Sequence, residues 1–485
     1  MKLYLQNHTF RYAMEQLQMS LFPAEKLEYT EVPLSGGDGA CAALHHGAMY
    51  DTAVVTICRN GITTRAQKRI LHTQANDRSL RQLLQQTYYQ AALQQLPSPP
   101  PWGAFSGVRP TKIATRHLLS GGTAQSCDQM LRDDYYIRED RRQLCLECAE
   151  QTVAATKLLR PGDISLYVGI PFCPTRCSYC SFVSQSVQFF GNLVAPYLDA
   201  LEREIRETGI KMQQTPLHIR TLYVGGGTPT TLSSTQLDRL LGAIEDSFDL
   251  SDCLEITVEA GRPETLNFEK LQVLRRYGVQ RISINPQTMN DTVLRTIGRN
   301  HTAKQILNAC AMAHDAGFDH VNMDLIAGLP GDTAASFAQS LEQVIALQPA
   351  AVTIHTLALK KAADLYAHRE LLPSDQTVAE MLCQGEAALR AAQYVPYYLY
   401  RQKYMSGSFE NVGWCRSGYQ CLYNIYMMEE LHSILALGAG GVTKINLPGG
   451  RLRRLVNPKY PLEYQKAIDR ICEEKAAFFA ADPNA

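Results

Sequence analysis

From Ile164 onward the chain alternates short apolar runs with helical stretches at intervals of about thirty residues, and that rhythm limits its fold more than any other feature. Strand-like runs occur at Ser165–Ile170, Thr221–Gly225, Glu255–Ala260, Arg281–Asn285, His320–Ile326 and Ala351–Leu357. Between them lie helical stretches at Pro196–Thr208, Ser233–Phe248, Phe268–Tyr277, Ala303–Ala316 and Ala334–Leu347. Tyr197, Leu198, Leu201 and Ile205 make the apolar stripe of the first helix, with Gly209 as its stop signal. Ser233 with Gln236 has the form of a capping box at the start of the second. Strands alternating with helices in this way build a parallel barrel. Six strands in place of eight predict an α/β fold with a partial (β/α)6 TIM-like barrel, open on one side to admit a large substrate.

The chain is longer than this barrel. At 485 residues, and ~150 residues per domain, two or three domains are expected. The pattern divides into an α+β extension over residues 1–155, the barrel over 160–360, and a mainly helical domain over 361–485 that covers the open side. In the extension, Met1–Gln6, Ala53–Cys58 and Gly61–Arg69 read as strands, and Phe10–Leu21 and Ser79–Leu96 as helices. Pro97-Ser98-Pro99-Pro100-Pro101 is a stiff boundary, and the basic, aromatic stretch Trp102–Lys112 after it suits contact with an anionic substrate or, more simply, anchoring of the extension. Cys145 and Cys148 lie in a helix-like stretch with Cys127 upstream, a pattern open to a second metal site but read more simply as two unpaired thiols on one helical face. In the last domain, helices are expected at Thr377–Ala392 and Tyr423–Leu435.

Charge and cysteine usage exclude several classes. Lys+Arg and Asp+Glu both number 47, so no basic field marks nucleic acid as a partner. No run approaches the ~18 apolar residues of a membrane span. The first residues lack the charged and apolar regions of a secretory signal. Fourteen cysteines in such a chain point to reduced thiols, metal and a cytoplasmic location.

Cys173, Cys177 and Cys180 stand at spacing C-x3-C-x2-C directly after the first strand, in a loop that Pro171 and Pro174 keep irregular. Three thiolates hold three irons of a four-iron, four-sulfur cube and leave the fourth iron open for chemistry. Other unusual polar residues also follow strands: Gly225-Gly226-Gly227-Thr228-Pro229-Thr230 the second, Glu259 the third, Asn285 and Gln287 the fourth, Asp324 late in the fifth. All map to the C-terminal mouth, where such barrels build active sites. The glycines would let backbone N–H groups approach a carboxylate or amine ligand. Glu259 and Asp324 need a cation or hydroxyl donors if buried; a ribose and an amino acid group supply both, and a salt bridge from Asp324 to Arg299 is the plainer alternative.

The three-cysteine spacing followed by Gly-Gly-Gly-Thr-Pro-Thr resembles the radical S-adenosylmethionine (radical SAM) superfamily. Tyr-x-x-Ile-Pro-Phe-Cys, Gly-x-Gly-Thr-Pro-Thr and Asp-Leu-Ile-x-Gly-Leu-Pro-Gly are similar to the oxygen-independent coproporphyrinogen III oxidase (dehydrogenase) family. The likeness covers about residues 164 to 445. The long N-terminal extension and Tyr400-Arg401-Gln402-Lys403 before Glu410-Asn411-Val412-Gly413 resemble its oxidase-like branch. The resemblance implies a [4Fe-4S] cluster and S-adenosylmethionine, cleaved by one electron to a 5′-deoxyadenosyl radical that takes hydrogen from a propionate of coproporphyrinogen III. Loss of CO2 and a further electron leaves a vinyl group, as in anaerobic haem biosynthesis. A reductant such as a flavodoxin or ferredoxin is implied. By the same resemblance Tyr167, Gly226, Gly227, Thr228 and Glu259 contact the cluster-bound S-adenosylmethionine. Tyr179, Gln287, Arg299 and Asp324 match positions that bind it or a second molecule of it, and Leu357 one that contributes mainly backbone.

Arg401, Lys403 and Arg416, near Tyr394, Tyr397, Tyr398 and Tyr400, are candidates for the substrate's carboxylates. The chain departs from the family in two places: Ser181-Phe182 stands where oxidases have a further cysteine, and Gly169 where a His is common. Relatives lacking that cysteine include haem-handling proteins, so a haem chaperone, or a radical enzyme on another tetrapyrrole, are the competing readings. For the chaperone, Cys415, Cys421 and His432 are candidate haem ligands. Replacing Cys173, Cys177 or Cys180 by Ala is expected to strip the anaerobically reconstituted chain of iron; unchanged iron and sulfide content would remove the basis of all three readings.

Overall fold

The computed structural model describes residues 1–23, 25–34, 36–360, 363–402 and 409–480. The chain divides into two compact units, Met1–Glu150 with Arg401–Tyr404, and Gln151–Tyr400 with Met405–Ala485. In the first, β1 (Lys2–Gln6), α1 (Arg11–Leu21), β2 (Glu28–Thr30), β3 (Gly39–His46), β4 (Tyr50–Arg59) and β5 (Ile62–Leu71) precede α2 (Asp77–Leu93). The strands lie in the order β2-β1-β3-β4-β5. One sheet face carries Leu3, Ala53, Val55 and Ile57 and packs against Leu17 of α1 and Leu84 and Tyr88 of α2. The alternation of apolar and polar residues along β4 produces that face. Helix α2 begins two residues earlier than its apolar pattern predicts because Asn76 caps it, accepting from the Arg78 and Ser79 N–H groups. Then follow α3 (Thr111–Leu119), α4 (Ala124–Tyr135) and α5 (Glu139–Thr156), with Cys127, Cys145 and Cys148 buried. Arg401 belongs to this unit: its Nη1 donates to the Phe105 carbonyl at 3.0 Å, and its guanidinium lies over the Trp102 ring.

The second unit opens with β6 (Asp163–Ile170), β7 (Phe172–Cys173), β8 (Gln185–Ser186), α6 (Val187–Phe190), α7 (Val194–Met212) and β9 (His218–Gly226). It continues through α8 (Ser234–Ser247), β10 (Glu255–Glu259), α9 (Phe268–Arg276), β11 (Arg281–Ser283), α10 (Asp291–Thr296), α11 (Ala303–Asp315), β12 (His320–Ala327), α12 (Ala334–Ala346) and β13 (Ala351–Thr356). Strands β6, β9, β10, β11, β12 and β13 pair in that order, all parallel. These are the six strands predicted. Leu166, Val168, Leu222, Val224, Ile256, Val258 and Ile282 point outward into a core with Leu198, Leu201, Leu237, Leu241 and Leu271 of the helices. The intervening positions, Tyr167, Tyr223, Thr257, Glu259, Asn322, Asp324, Thr353 and His355, point into the barrel.

Gly209 does not stop α7. The helix runs to Met212, and the missing side chain lets it pack on α8, since a Cβ there would lie 2.4 Å from the Ser247 carbonyl oxygen. The box at Ser233 and Gln236 forms at the start of α8.

Beyond residue 361 come α13 (Asp375–Ala391), β14 (Val395–Tyr400), β15 (Asn411–Cys415), α14 (Leu422–Glu429), β16 (Ile434–Leu437), β17 (Val442–Leu447), β18 (Arg451–Val456), α15 (Pro461–Lys466) and α16 (Ile468–Ala480). Helix outweighs strand, yet the segment is not a separate layer laid over the barrel. Its five strands extend the barrel's sheet at both ends, in the order β14-β15-β13 on one side and β6-β16-β17-β18 on the other. The expected cover of helices becomes sheet because β13 and β6 each present an unpaired edge that must be satisfied.

The last helix is pinned by a buried ionic group. Glu204 of α7, fully buried, accepts from the Gly438 N–H at 2.7 Å, the Asn457 amide at 3.0 Å, the Tyr464 hydroxyl and the Lys475 ammonium. Lys475 is itself buried, and removing one partner of such a pair strands the other charge. Glu204→Ala is expected to cost ~3–5 kcal/mol of stability, read as a lower urea midpoint.

Candidate active site at the barrel mouth

The cysteine loop leaves β6 at Ile170 and is clamped by the turn that follows β9. Gly227 N–H donates to the Ile170 carbonyl at 2.8 Å and Thr228 N–H to the Phe172 carbonyl at 2.7 Å. A Cβ on Gly227 would sit 2.4 Å from the Phe172 oxygen, so only glycine lets the two loops touch. The short pair β7–β8 and the Gln185 N–H, bonded to the Pro171 carbonyl at 2.8 Å, hold the far side. Donors then meet the sulfurs. Thr228 Oγ1 donates to Cys173 Sγ at 3.5 Å, and Arg262 Nη1 to Cys177 Sγ at 3.4 Å. Burial pushes the Cys180 thiol up, its Phe182 backbone bond opposes that, and Cys177 and Cys173 raise it further, because the three thiols face one another. Three cysteines that share a loop and face one another, two of them receiving hydrogen bonds at sulfur, fit a cube that offers each its own iron.

The expected role of the glycine turn changes. Gly226 N–H donates to Glu259 Oε2 at 3.2 Å, and those of Gly227 and Thr228 go to the cysteine loop. These N–H groups are spent within the protein, so the turn serves close packing, not a cradle of free donors.

Glu259 ends β10 and accepts from the Tyr223 hydroxyl at 2.7 Å through its other oxygen. Burial raises its carboxyl to about 7, against the Tyr223 hydrogen bond, with a further push from Asp324 and a small opposing effect of the Gly226 N–H. Tyr167, Tyr223 and Tyr423 stack beneath it, Tyr223 on Tyr423 at 4.4 Å. Gln287 has φ 68°, and that left-handed turn gives its N–H to the Asp324 carbonyl at 2.8 Å while its buried Oε1 has no partner among the described residues. Asn285 Oδ1 and Ser178 Oγ are likewise buried and unsatisfied. Arg299, buried, bridges the Gly261 and Asn285 carbonyls at 3.0 Å each and donates to the Tyr179 hydroxyl at 3.1 Å. It makes no salt bridge with Asp324. Asp324 instead accepts from Asn322 at 2.8 Å and faces His355 at 3.6 Å. Burial opposes ionisation there, yet His355 with Asn322 and Thr353 holds the carboxyl below its ordinary value. The Tyr400 hydroxyl lies 3.4 Å from His355 Nδ1. Leu357 follows β13, where its N–H donates to the Ala327 carbonyl at 3.0 Å.

Other candidates lie elsewhere. Arg416 follows β15, whose Cys415 pairs with Ala351 at the start of β13, so it sits at the opposite end from the mouth, with Tyr394 bonded to the Pro349 carbonyl nearby. Arg401 is held in the first unit, and Lys403 lies outside the described residues. Cys421 and His432 belong to the barrel floor. There Glu255 accepts from Arg281 at 3.3 Å and from the Cys421 thiol and the Leu422 and Tyr423 N–H groups, capping the start of α14. His432 Nε2 bonds Ser165 Oγ at 2.7 Å, and burial lowers its pKa to about 4. Cys415 is fully buried at the same end. None of the three faces the mouth. A side chain at Gly169 would meet the Ala439 carbonyl at 2.8 Å, because the loop after β16 fills the space a His would take. Phe182 is exposed.

Four further site residues carry weak sequence signals or none. Tyr223 repeats the Tyr-Val-Gly of Tyr167 one strand later. His355 occupies an inward position two residues after Thr353. Arg262 follows Gly261 in the turn after β10, unmarked except as a charge in an apolar setting. Tyr423 comes from a distant helix and has no local signal.

A parallel half-barrel carrying three clamped cysteines at its mouth defines the radical SAM class. Residues 167–344 match the model of the radical SAM superfamily. The oxygen-independent coproporphyrinogen-III oxidase-like protein HemZ of Bacillus subtilis (strain 168) is 37% identical over 383 residues, 78% of this chain and 76% of that protein. The heme chaperone HemW of Haemophilus influenzae is 30% identical over 316 residues, 64% of this chain and 78% of that one. Among solved structures, the coproporphyrinogen III oxidase HemN of Escherichia coli, a radical SAM enzyme, aligns with a TM-score of 0.52 at 26% identity, covering 66% of this chain and 72% of that chain. The chain belongs to the radical SAM superfamily, within its oxygen-independent coproporphyrinogen-III oxidase-like branch. Its cofactors are those of that superfamily, a [4Fe-4S] cluster and S-adenosylmethionine. No helix among the described residues is long and apolar enough to cross a membrane.

The Glu259 carboxyl titrates near 7 in the fold against an ordinary 4.5. The folded chain thus keeps a proton through that window which the unfolded chain has released, so stability falls as pH rises through it and levels off above. Glu259→Gln is expected to flatten this part of the stability curve, checked by urea unfolding of the cluster-free chain at pH values spanning the window.

Proposed function

We propose that this chain oxidatively decarboxylates propionate side chains of coproporphyrinogen III, giving the vinyl groups of protoporphyrinogen IX. Each propionate loses one hydrogen atom, CO2 and one electron. A cytoplasmic setting and a flavodoxin- or ferredoxin-like electron donor belong to the same reading. The observation that carries it is that Gln287 Oε1, Asn285 Oδ1 and, within the cysteine loop, Ser178 Oγ are buried without partners among the described residues. Buried polar atoms left without partners call for a polar ligand. The relation to HemZ, and the fold shared with HemN, support a tetrapyrrole as the substrate class.

In this reading Cys173, Cys177 and Cys180 hold the cluster, and Tyr167, Gly226, Gly227, Thr228 and Glu259 line the first S-adenosylmethionine position. Tyr179, Gln287, Arg299, Asp324 and the Leu357 backbone complete it or receive a second molecule. When bound, these cofactors supply a one-electron cleavage and hydrogen abstraction. The protein supplies geometry and dryness. Asp324, kept ionised by His355, offers an acceptor for ribose hydroxyls, and Glu259, poised near neutrality, responds to an incoming ammonium by giving up its proton. The Tyr167–Tyr223–Tyr423 stack and the Glu255–Arg281 floor close the barrel to water from below.

Phe182, standing where oxidases carry a further cysteine, favours a second reading as a haem chaperone, a name that several relatives bear. Against it, the candidate ligands Cys415, Cys421 and His432 sit at the floor. Anaerobic incubation of the reconstituted chain with S-adenosylmethionine, a reductant and coproporphyrinogen III is expected to form protoporphyrinogen and 5′-deoxyadenosine together. Stoichiometric haem retention with neither product would overturn decarboxylation in favour of the chaperone.

A further inference from the structure

Arg262 is an expensive residue to bury. It follows β10 at 3% exposure, and its Nη1 donates to Cys177 Sγ at 3.4 Å while Nη2 donates to the Thr175 carbonyl at 3.0 Å. Its Nε lies 3.5 Å from Glu264 Oε1, and Glu264 Oε2 is bonded at 2.7 Å to His301 Nδ1, whose side chain is wholly buried. Bracing the loop needs only the Thr175 and Glu264 contacts. The bond to sulfur is left over, and so is a nearly buried file of arginine, carboxylate and imidazole ending on one cluster cysteine.

We propose that Arg262 tunes the reduction potential of the cluster through its N–H bond to Cys177, and that Glu264, steadied by His301, limits how much of the guanidinium charge the cluster feels. This rests on the cluster reading of Cys173, Cys177 and Cys180. Reduction adds one electron and no proton, and part of the added charge falls on the cysteine sulfurs. A cationic donor at sulfur stabilises the reduced form more than the oxidised form, in a site too poorly hydrated to screen it. Glu264 is an anion in that site, since burial is outweighed by the His301 bond and the Arg262 charge, which hold its carboxyl at about 2. The two side chains therefore pull the potential in opposite directions.

The test is a reductive titration of the anaerobically reconstituted full chain without S-adenosylmethionine, followed by the electron paramagnetic resonance of the reduced cluster. Arg262→Met is expected to make reduction at least tenfold less favourable, a shift of about 59 mV to more negative potential for one electron. Arg262→Lys should recover part of that shift. Glu264→Gln, which leaves Arg262 in place, should move the potential the other way. Full iron loading in Arg262→Met and Glu264→Gln with potentials equal to the parent would overturn the proposal and leave Arg262 as a loop brace. If Arg262→Met fails to load iron, an unshifted Glu264→Gln overturns it alone. Failure of the parent chain itself to load iron counts instead against the cluster reading.

Discussion

Everything at the mouth depends on two backbone hydrogen bonds, from Gly227 N–H to Ile170 and from Thr228 N–H to Phe172. They tie an irregular, proline-bearing loop to the end of a rigid strand. A cysteine loop free to wander would not keep three sulfurs at cluster spacing, and its entropy would oppose assembly. The contact is possible only because position 227 has no side chain. The same turn sends its Gly226 N–H to Glu259, so the three residues Gly226–Thr228 fix the cysteine loop on one side and a titrating carboxylate on the other. Close approach of backbones, and not the offer of free N–H groups, is what the glycines accomplish.

The two ends of the barrel differ in backbone strain and in the groups their buried side chains meet. At the floor Glu255 is met by Arg281 and the start of α14, and Ser165 by His432, while Arg281 Nη1 and His432 Nδ1 keep no partner among the described residues. At the mouth Gln287, Asn285 and Ser178 keep buried oxygens without partners among the described residues, and there Gln287 also holds a left-handed backbone. A fold tolerates such strain where a ligand later relieves it. Between the ends, Tyr167, Tyr223 and Tyr423 fill the lumen with rings, so the reactive side opens in one direction.

Much of this was legible in the chain because the outward strand positions are apolar and the inward ones are not. Leu166 and Val168 against Tyr167, or Leu222 and Val224 against Tyr223, give both the strands and their faces. The position of Glu259, Gln287 and Asp324 at strand ends followed from the same count. Gly209 misled because a glycine inside a helix has the same local signature as one beyond its end; only the Ser247 carbonyl opposite distinguishes them. The cations chosen for substrate carboxylates misled for a related reason. Proximity to tyrosines in sequence says nothing about which end of an antiparallel strand a residue reaches, and β15 carries Arg416 to the far end.

The sequence by itself determined the parallel half-barrel, the three-cysteine loop and the rim that faces it, because periodicity of two, turn chemistry and residue type act locally. Tertiary structure alone decided that the C-terminal strands extend the sheet at both edges, that Asp324 pairs with His355 and not Arg299, and that Arg262 reaches Cys177. These choices depend on groups 31 to 85 positions apart or more, whose meeting is set by sheet order and by the need to satisfy buried charge. The cysteine loop belongs to both accounts: its ligands were written in the chain, and the arginine on its sulfur was placed there by the fold.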